Sequence, residues 1–233
     1  SHNLGMGAHS QDYAFATDIR PLPVVGEKRH FMGYHRADGG VGTRNYLGIL
    51  TSVNCSGSVA RFIAEAVERS GWLEQFPNVD GVVPIVHGTG CGMSGTDEGY
   101  QTLFRTLQGY ARNPNFAAIL LVGLGCEVMQ VPNLVGKERL RSDDRFRYMT
   151  IQQTGGTRKT VEAGVEALRE LSVEAETNVR EPIPVSELVI GMLAPFDQGG
   201  HEDFVVVAAE GRDCRHDSDL GQEHLAEGGR PEG

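Results

Sequence analysis

The stretch that decides the fold is FMGYHRADGGVGTRNYLGILTSVN, residues Phe31–Asn54. Its second half contains Tyr46–Val53, a continuous apolar run of strand length. Its first half is a glycine-rich turn flanked by Arg36 and Arg44. Glycine lets the backbone turn sharply and approach a ligand, and an arginine fork matches a carboxylate with two hydrogen bonds. The pattern indicates either an anion-binding turn before a buried strand or a surface hairpin with two solvated arginines.

Strand and helix patterns alternate after this first strand. Further strands are predicted at Val79–Val86, Phe116–Gly123, Phe146–Gln152 and Glu187–Met192. Helices are predicted from Ser58 to Gly71, around Tyr100–Tyr110 and at Thr157–Val173. Pro84 places the second strand at an edge of the sheet. Such alternation predicts an α/β fold: an open, mostly parallel sheet with helices on both faces, a Rossmann-like three-layer arrangement.

Polar, glycine-rich segments follow each of these strands. They are Asn54-Cys55, His87 to Cys91, Cys126-Glu127 and Gln152 to Thr157. Ligands bind beyond the carboxyl ends of the strands in sheets of this kind. We therefore expect these four segments to line one rim of the sheet, although they lie far apart in sequence.

Three cysteines, Cys55, Cys91 and Cys126, belong to this set. Free cysteine often packs as a small hydrophobe, and no CxxC spacing is present. The equivalent positions after three strands nevertheless favour a second interpretation, in which the thiolates bind a soft metal such as iron. His87 could add an imidazole. We assign no role to Cys214.

Composition excludes several classes of protein. The 233 residues carry a net charge of −10, which is unfavourable for nucleic-acid binding. No apolar run reaches the roughly 20 residues that span a bilayer. Four cysteines in a chain of this length do not form a disulfide scaffold. We therefore expect a reduced, cytoplasmic protein that binds neither nucleic acid nor membrane.

The charge divides the chain into regions. From Asp197 onward, ten acidic and three basic residues give a net charge of −7, so the body before it carries only −3. This polar, glycine-rich segment is typical of poor order. We expect an amino-terminal remnant and linker at 1–30, an α/β catalytic-type domain at 31–192, and an acidic, poorly ordered tail at 193–233.

Four motifs in order resemble the large domain of the altronate and galactarate dehydratases. They are GYHRADGGVGTRNYLGILTSVNCS at 33–56, HGTGCGM at 87–93, VGLGCE at 122–127 and IQQTGGTRKTVEAG at 151–164. The opening SHNLGMG at 1–7 is similar to the end of the small amino-terminal domain of that family. The resemblance covers roughly residues 1–192 and ends before the tail, where a CGGSD-type segment is expected and not found.

This resemblance implies a hydro-lyase that converts a sugar acid of the altronate or galactarate type into a 2-keto-3-deoxy acid. It also implies a divalent metal, iron(II) (Fe2+) first and manganese (Mn2+) second, and leaves an iron–sulfur cluster open. The missing small domain and the remainder of the large domain are implied as partners, and the isolated chain is expected to be incomplete. A homo-oligomer remains open.

Candidate site residues follow from these patterns and from the resemblance. The candidate metal ligands are Cys55, Cys91 and Cys126. The candidate catalytic residues are His87, Glu127 and His2. The candidate substrate-binding residues are Arg36, Arg44, Asn45, Asn54, Gly155, Gly156 and Thr157. Two ordinary interpretations stay open: Glu127 and Thr157 could each simply begin a helix. The alternative function is a non-catalytic module that binds a small anion, or a subunit that needs a partner chain.

Overall fold

The computed structural model of the chain describes residues 29–136, 140, 145–191 and 207–208. The strands in this part of the chain are β1 (His30–His35), β2 (Val41–Gly42), β3 (Tyr46–Thr51), β4 (Gly81–Ile85), β5 (Phe116–Gly123), β6 (Phe146–Thr150), β7 (Glu181–Pro184), β8 (Ile190–Gly191) and β9 (Val207–Ala208). The α-helices are α1 (Gly57–Ser70), α2 (Glu98–Arg112), α3 (Val131–Gly136), α4 (Ile151–Thr154) and α5 (Thr157–Glu176).

The main sheet has four strands in the order β4-β3-β5-β6, and all neighbours are parallel. The chain starts in the middle with β3, passes through α1 to β4 on one side, and then crosses through α2 to β5 on the other side. The order of the strands therefore reverses between β3 and β5. The predicted edge position of Pro84 is confirmed, because β4 is an edge strand of this sheet.

Both faces of the main sheet are covered. All eight residues of the central strand β5 are buried, as expected for a strand with helices on either side. On one face, Leu47, Ile49 and Leu120 pack with apolar residues of α1 and α5. On the other face, Leu50 and Leu121 pack with apolar residues of α2 and α3. The predicted α/β fold with a parallel sheet is confirmed.

Two smaller sheets accompany the main one. An antiparallel sheet has the order β2-β1-β7, and β8 pairs with β9 in a separate antiparallel ladder. The predicted strand Glu187–Met192 is therefore wrong as a fifth strand of the main sheet: Ile190–Gly191 forms a strand that, among the described residues, pairs with β9 and not with the main sheet. The opening stretch does form a hairpin, since β1 and β2 pair with Tyr34 opposite Gly42. The expectation of two solvated arginines is wrong for Arg36, because its side chain is buried.

Local sequence signals account for the helix ends. Gly71 has a φ of 68°, and its amide donates to the Glu68 carbonyl at the end of α1. The side chain of Asp97 accepts from the Tyr100 amide at 2.8 Å and so caps the start of α2. α5 extends past the predicted Val173. None of the helices in the described ranges is long and apolar enough to cross a membrane.

Candidate functional site

Four loops meet at the carboxyl-terminal edge of the main sheet. Because β3, β4, β5 and β6 are parallel, the segments that follow them emerge at the same edge. The predicted convergence of Cys55, Cys91, Cys126 and Gly155 is thus confirmed. The loops after β3 and β5 flank the point where the strand order reverses, and such a point is where open α/β sheets form their ligand crevices. We call this edge the rim.

The loops after β3 and β4 are joined by a backbone hydrogen bond and by a close contact. The Asn54 amide donates to the Thr89 carbonyl at 2.8 Å. Gly90 has a φ of 97°, and a Cβ there would lie 2.9 Å from the Ser52 carbonyl oxygen. Only glycine fits this position without a shift of backbone, which explains one glycine of the HGTGCGM motif. The contact holds the Cys91 loop against the Cys55 loop.

The three predicted cysteines are free and exposed at the rim. Desolvation raises the pKa of the Cys55 thiol even though the residue is exposed, and the nearby Cys91 and Cys126 sulfurs raise it further. The Asn54 side-chain oxygen accepts from the Cys55 thiol at 3.6 Å. Residues from three separate loops therefore form one thiol cluster, defined here as Cys55, Cys91 and Cys126.

His87 is half-buried in the loop after β4, at the same rim. Its Nε2 lies 2.9 Å from the Thr51 carbonyl, and the Thr89 amide donates to its Nδ1 at 3.3 Å. A carbonyl oxygen only accepts and an amide only donates, so Nε2 carries the hydrogen and Nδ1 the lone pair. A shallow groove of about 460 Å³ lies next to the imidazole. Its lining comprises His87, Thr89, Glu98, Gly99, Thr102, Leu103 and Thr106.

Glu127 is buried, with 5% of its surface exposed. Its Oε1 accepts from the Ser52 hydroxyl at 2.7 Å and from the Leu124 amide at 3.2 Å. Its Oε2 accepts from the Gly125 amide at 2.5 Å. The residue does not begin a helix, because α3 starts four residues later. The catalytic role of Glu127 stays a prediction, and the contacts reveal a structural role that the sequence did not indicate.

The loop after β6 completes the rim. Gly125 has a φ of 121°, and a Cβ there would lie 2.7 Å from the Gln152 side-chain oxygen, so the loops after β5 and β6 pack closely. Gly155 and Gly156 have φ values of 95° and 104° and connect α4 to α5, which begins at Thr157. The predicted anion cradle at these amides stays a prediction.

Arg36 and Asn45 lie at the opposite edge of the sheet, where β3 begins. Arg36 is buried and donates to the Pro114 carbonyl at 2.7 Å, to the Asn45 side-chain oxygen at 2.8 Å and to the Arg44 carbonyl at 2.9 Å. The side-chain nitrogen of Asn45 donates to the Asn78 and Ala175 carbonyls. Six residues of β3, roughly 20 Å at 3.3 Å per residue, separate this edge from the rim.

The structure therefore does not bring Arg36, Arg44 and Asn45 to the rim, and one six-carbon acid cannot contact both edges. Arg44 is exposed, with a nitrogen 3.8 Å from an oxygen of Asp80. A substrate-binding role for these three residues stays a prediction without support from this geometry. His2 lies outside the described residues, so its placement relative to the rim is not tested.

Sequence reasoning missed Arg180. Its guanidinium donates to the Met32 and Thr43 carbonyls and to both oxygens of Asp80, and it stacks on the Tyr34 ring at 4.7 Å. The residue thereby fastens the β2-β1-β7 sheet to the main sheet. Its partners are up to 148 positions away in the chain, so no local pattern could have indicated it.

The thiol cluster fits iron by donor chemistry. Thiolates are soft ligands that suit iron, whereas manganese prefers oxygen donors. Across residues 29–136, 140, 145–191 and 207–208, no three His, Cys, Asp or Glu side chains are already arranged to hold a metal ion. The donors are therefore gathered at one edge without forming a complete site.

Comparisons with known proteins agree with one another. The family described as "D-galactarate dehydratase/Altronate hydrolase, second domain" matches residues 33–176. Altronate dehydratase of Escherichia coli (strain K12) is 35% identical over 198 residues, which cover 82% of this chain and 38% of that enzyme. Galactarate dehydratase (L-threo-forming) of the same organism is 34% identical, and the match covers 81% of this chain and 36% of that enzyme. The (2R)-sulfolactate sulfo-lyase subunit beta of Chromohalobacter salexigens is 31% identical, and the match covers 69% of this chain and 36% of that subunit.

Proposed function

Because this chain belongs to the D-galactarate dehydratase/altronate hydrolase family, we propose that it provides part of a hydro-lyase site that dehydrates a sugar acid. The chain spans about 38% of the length of the altronate dehydratase that it matches. The proposal thus concerns the contribution of this α/β domain to a larger site. Altronate and galactarate are the proposed substrate types, since relatives of both names match.

One observation carries the proposal: three thiols from separate loops meet at the point where the strand order of the sheet reverses. Cys55 and Cys126 follow the two strands that flank this point, and Cys91 lies close enough to Cys55 to raise the pKa of its thiol. A purely structural role would not require exposed thiols, because structural free cysteines are among the most buried residues. A ligand-binding rim explains both their exposure and their convergence.

The proposed reaction is the loss of water from neighbouring carbons. A base removes the proton from the carbon next to the carboxylate, and the hydroxyl group leaves the carbon beyond as water after it gains a proton. The resulting enol tautomerises to a 2-keto-3-deoxy acid. Proton removal is difficult because negative charge develops next to an anionic carboxylate, so positive charge must stabilise it.

The proposed cofactor is iron(II), with Cys55, Cys91 and Cys126 as candidate ligands. When bound, a divalent metal supplies the positive charge that stabilises an enolate-like state. An iron–sulfur cluster is the alternative form of iron for the same thiols, and the thiol donors make manganese the weaker candidate.

His87 is the proposed base. The Thr51 carbonyl fixes the orientation of its ring. Nδ1 accepts from the Thr89 amide at 3.3 Å, so it must give up this hydrogen bond when it takes the substrate's proton. Asn54 is exposed beside Cys55 and is proposed to hold a substrate hydroxyl. The amides of Gly155, Gly156 and Thr157 at the start of α5 are proposed to approach the carboxylate. His2 stays a candidate that a test of the whole chain can include.

An anaerobic assay with the 233-residue chain tests this function. Altronate, galactarate and (2R)-sulfolactate are each supplied with iron(II) and a reductant, and 2-keto acid formation is measured together with thermal stabilisation by each acid. We expect iron-dependent stabilisation of the chain by a sugar acid, and formation of its keto product once the parts of the relatives that this chain does not span are supplied. The Cys91→Ser variant is expected to lose both. Stabilisation that is the same with and without iron, with no product, would instead identify a module that only binds anions.

A second candidate is a subunit that needs a partner chain. The specific support is the relative named as subunit beta of a sulfo-lyase, to which 69% of this chain is similar. This candidate predicts sugar-acid binding by the isolated chain and product formation only after another chain is added.

A further inference from the structure

We propose that Ser52 and Glu127 form a positioning pair that holds the loop after β5 against the loop after β3. The pair thereby sets where the Cys126 thiol lies relative to Cys55. Ser52 precedes Cys55 by three residues, and Glu127 follows Cys126 directly. The relevance of the pair to catalysis rests on the function proposed above, whereas its effect on thiol placement does not.

The contact between the two residues is buried and direct. Ser52 is fully buried, Glu127 is 5% exposed, and the serine hydroxyl donates to Oε1 of the carboxylate at 2.7 Å. The same carboxylate accepts from the Leu124 and Gly125 amides within its own loop. A single side chain therefore orders the turn that carries Cys126 and attaches this turn to the loop after β3.

The pair packs closely against Gly123, the last residue of β5. A Cβ at Gly123 would overlap Oε1 of Glu127 and lie 3.0 Å from Oγ of Ser52. The carboxylate therefore fills the space beside the last residue of β5. A shift of Glu127 would be transmitted to the neighbouring Cys126, since close-packed interiors transmit strain.

Glutamine cannot replace Glu127 in this network. Oε1 and Oε2 each accept from a backbone amide, Leu124 and Gly125 respectively, whereas glutamine has only one acceptor oxygen. In either orientation its NH2 group faces a backbone amide, which leaves a buried donor without an acceptor. Glu127→Gln therefore tests the pair with almost no change in side-chain volume.

Thiol bridging measures the placement directly. Cys91→Ser and Cys214→Ser in the full chain leave Cys55 and Cys126 as its two thiols. The metal-free, reduced protein is treated with dibromobimane, which becomes fluorescent when both of its arms react with thiols. We expect rapid bridging in this background. Glu127→Gln should slow bridging about tenfold relative to total alkylation, because it loses one charge-assisted hydrogen bond. Ser52→Ala should slow bridging by a smaller factor.

Ser172→Ala is the matched control. Ser172 is also fully buried, and its hydroxyl donates to the Leu168 carbonyl at 2.8 Å within α5. This variant loses a buried hydroxyl hydrogen bond outside the rim, so it should bridge at the rate of the background. Circular dichroism checks that each variant is folded. If Glu127→Gln does not fold, the bridging rate of Ser52→Ala alone decides whether the pair positions the thiols.

Each outcome separates this inference from the proposed function. Equal bridging in the background and in the folded Glu127 and Ser52 variants would overturn the positioning pair, and so would a background that does not bridge. Slower bridging in a protein that neither binds nor dehydrates sugar acids would support the pair and refute the lyase. Dehydration of a sugar acid by the protein, together with unchanged bridging in the Glu127 and Ser52 variants, would support the lyase and refute the positioning pair.

Discussion

Arg36 and Arg44 flank the same glycine-rich turn and occupy different environments. The Arg36 guanidinium is buried in hydrogen bonds that join the hairpin to the start of β3 and to Pro114. The Arg44 side chain is 57% exposed and faces Asp80 at 3.8 Å. Burial and the number of partners, rather than residue type, decide what each arginine contributes.

Replacing Arg36 with lysine should lower the free energy of unfolding by about 2–4 kcal/mol, because lysine cannot make the same set of buried hydrogen bonds. Arg44→Lys is the matched control and should change stability by no more than about 0.5 kcal/mol. Urea denaturation of both variants measures the difference. Equal destabilisation by the two substitutions would show that the buried network contributes little.

The thiol cluster has a pH signature at Cys55. Desolvation and the neighbouring sulfurs raise the pKa of Cys55, and the thiolate is the form that reacts with iodoacetamide. Its alkylation should therefore begin at higher pH than that of an isolated thiol. Cys91→Ser should shift the profile toward lower pH, because one of the groups that raise the pKa is gone. A profile that Cys91→Ser leaves in place would show that the two thiols do not interact. Mass spectrometry of the Cys55 peptide gives the rate.

At the scale of elements, the parallel sheet depends on close packing of α1 against α5. Gly164 of α5 faces Ile63 of α1, which is fully buried. A Cβ at this glycine would lie 2.5 Å from Cδ1 and 2.9 Å from Cγ1 of Ile63. The absence of a side chain at Gly164 therefore lets the two helices pack on the same face of the sheet and fixes where α5 begins at the rim.

Gly164→Ala should destabilise the protein by about 0.5–2 kcal/mol, because overpacking outweighs the better helix propensity of alanine. Gly109 in α2 has open space around its Cα, so Gly109→Ala should stabilise the protein by about 0.5–1 kcal/mol. Ile63→Val should reduce the cost of Gly164→Ala. Thermal denaturation of the variants tests this, and stabilisation by both alanines would contradict the close helix contact.

At the scale of the whole molecule, the sequence was sufficient to predict the main sheet. It was not sufficient to predict how the β2-β1-β7 sheet is joined to it. The apolar runs of β3 and β5, Pro84 in an edge strand and glycine-rich segments after the strands are local signals, and they predicted the sheet and the rim. The pairing of β1 with β7 joins segments about 150 positions apart, so no local signal indicated it.

Site prediction had the same limit. The position of the cysteines after strands was enough to predict that Cys55, Cys91 and Cys126 converge. The buried contact between Ser52 and Glu127 depends on two strands being neighbours, which spacing alone does not reveal. Arg36 and Arg44 were predicted to bind a ligand because arginine can bind a carboxylate. Arginine is equally suited to donate to backbone carbonyls, so the sequence does not distinguish the two roles.

The proposed function requires the rim to bind a sugar acid through iron held by the thiol cluster. Calorimetric titration of altronate into the anaerobic chain, with and without iron(II), tests it most directly. We expect the iron-loaded wild-type chain to bind altronate, and the metal-free chain and Cys126→Ser to bind it at least about tenfold more weakly. Equal affinity in all three samples would refute binding through iron at the thiol cluster.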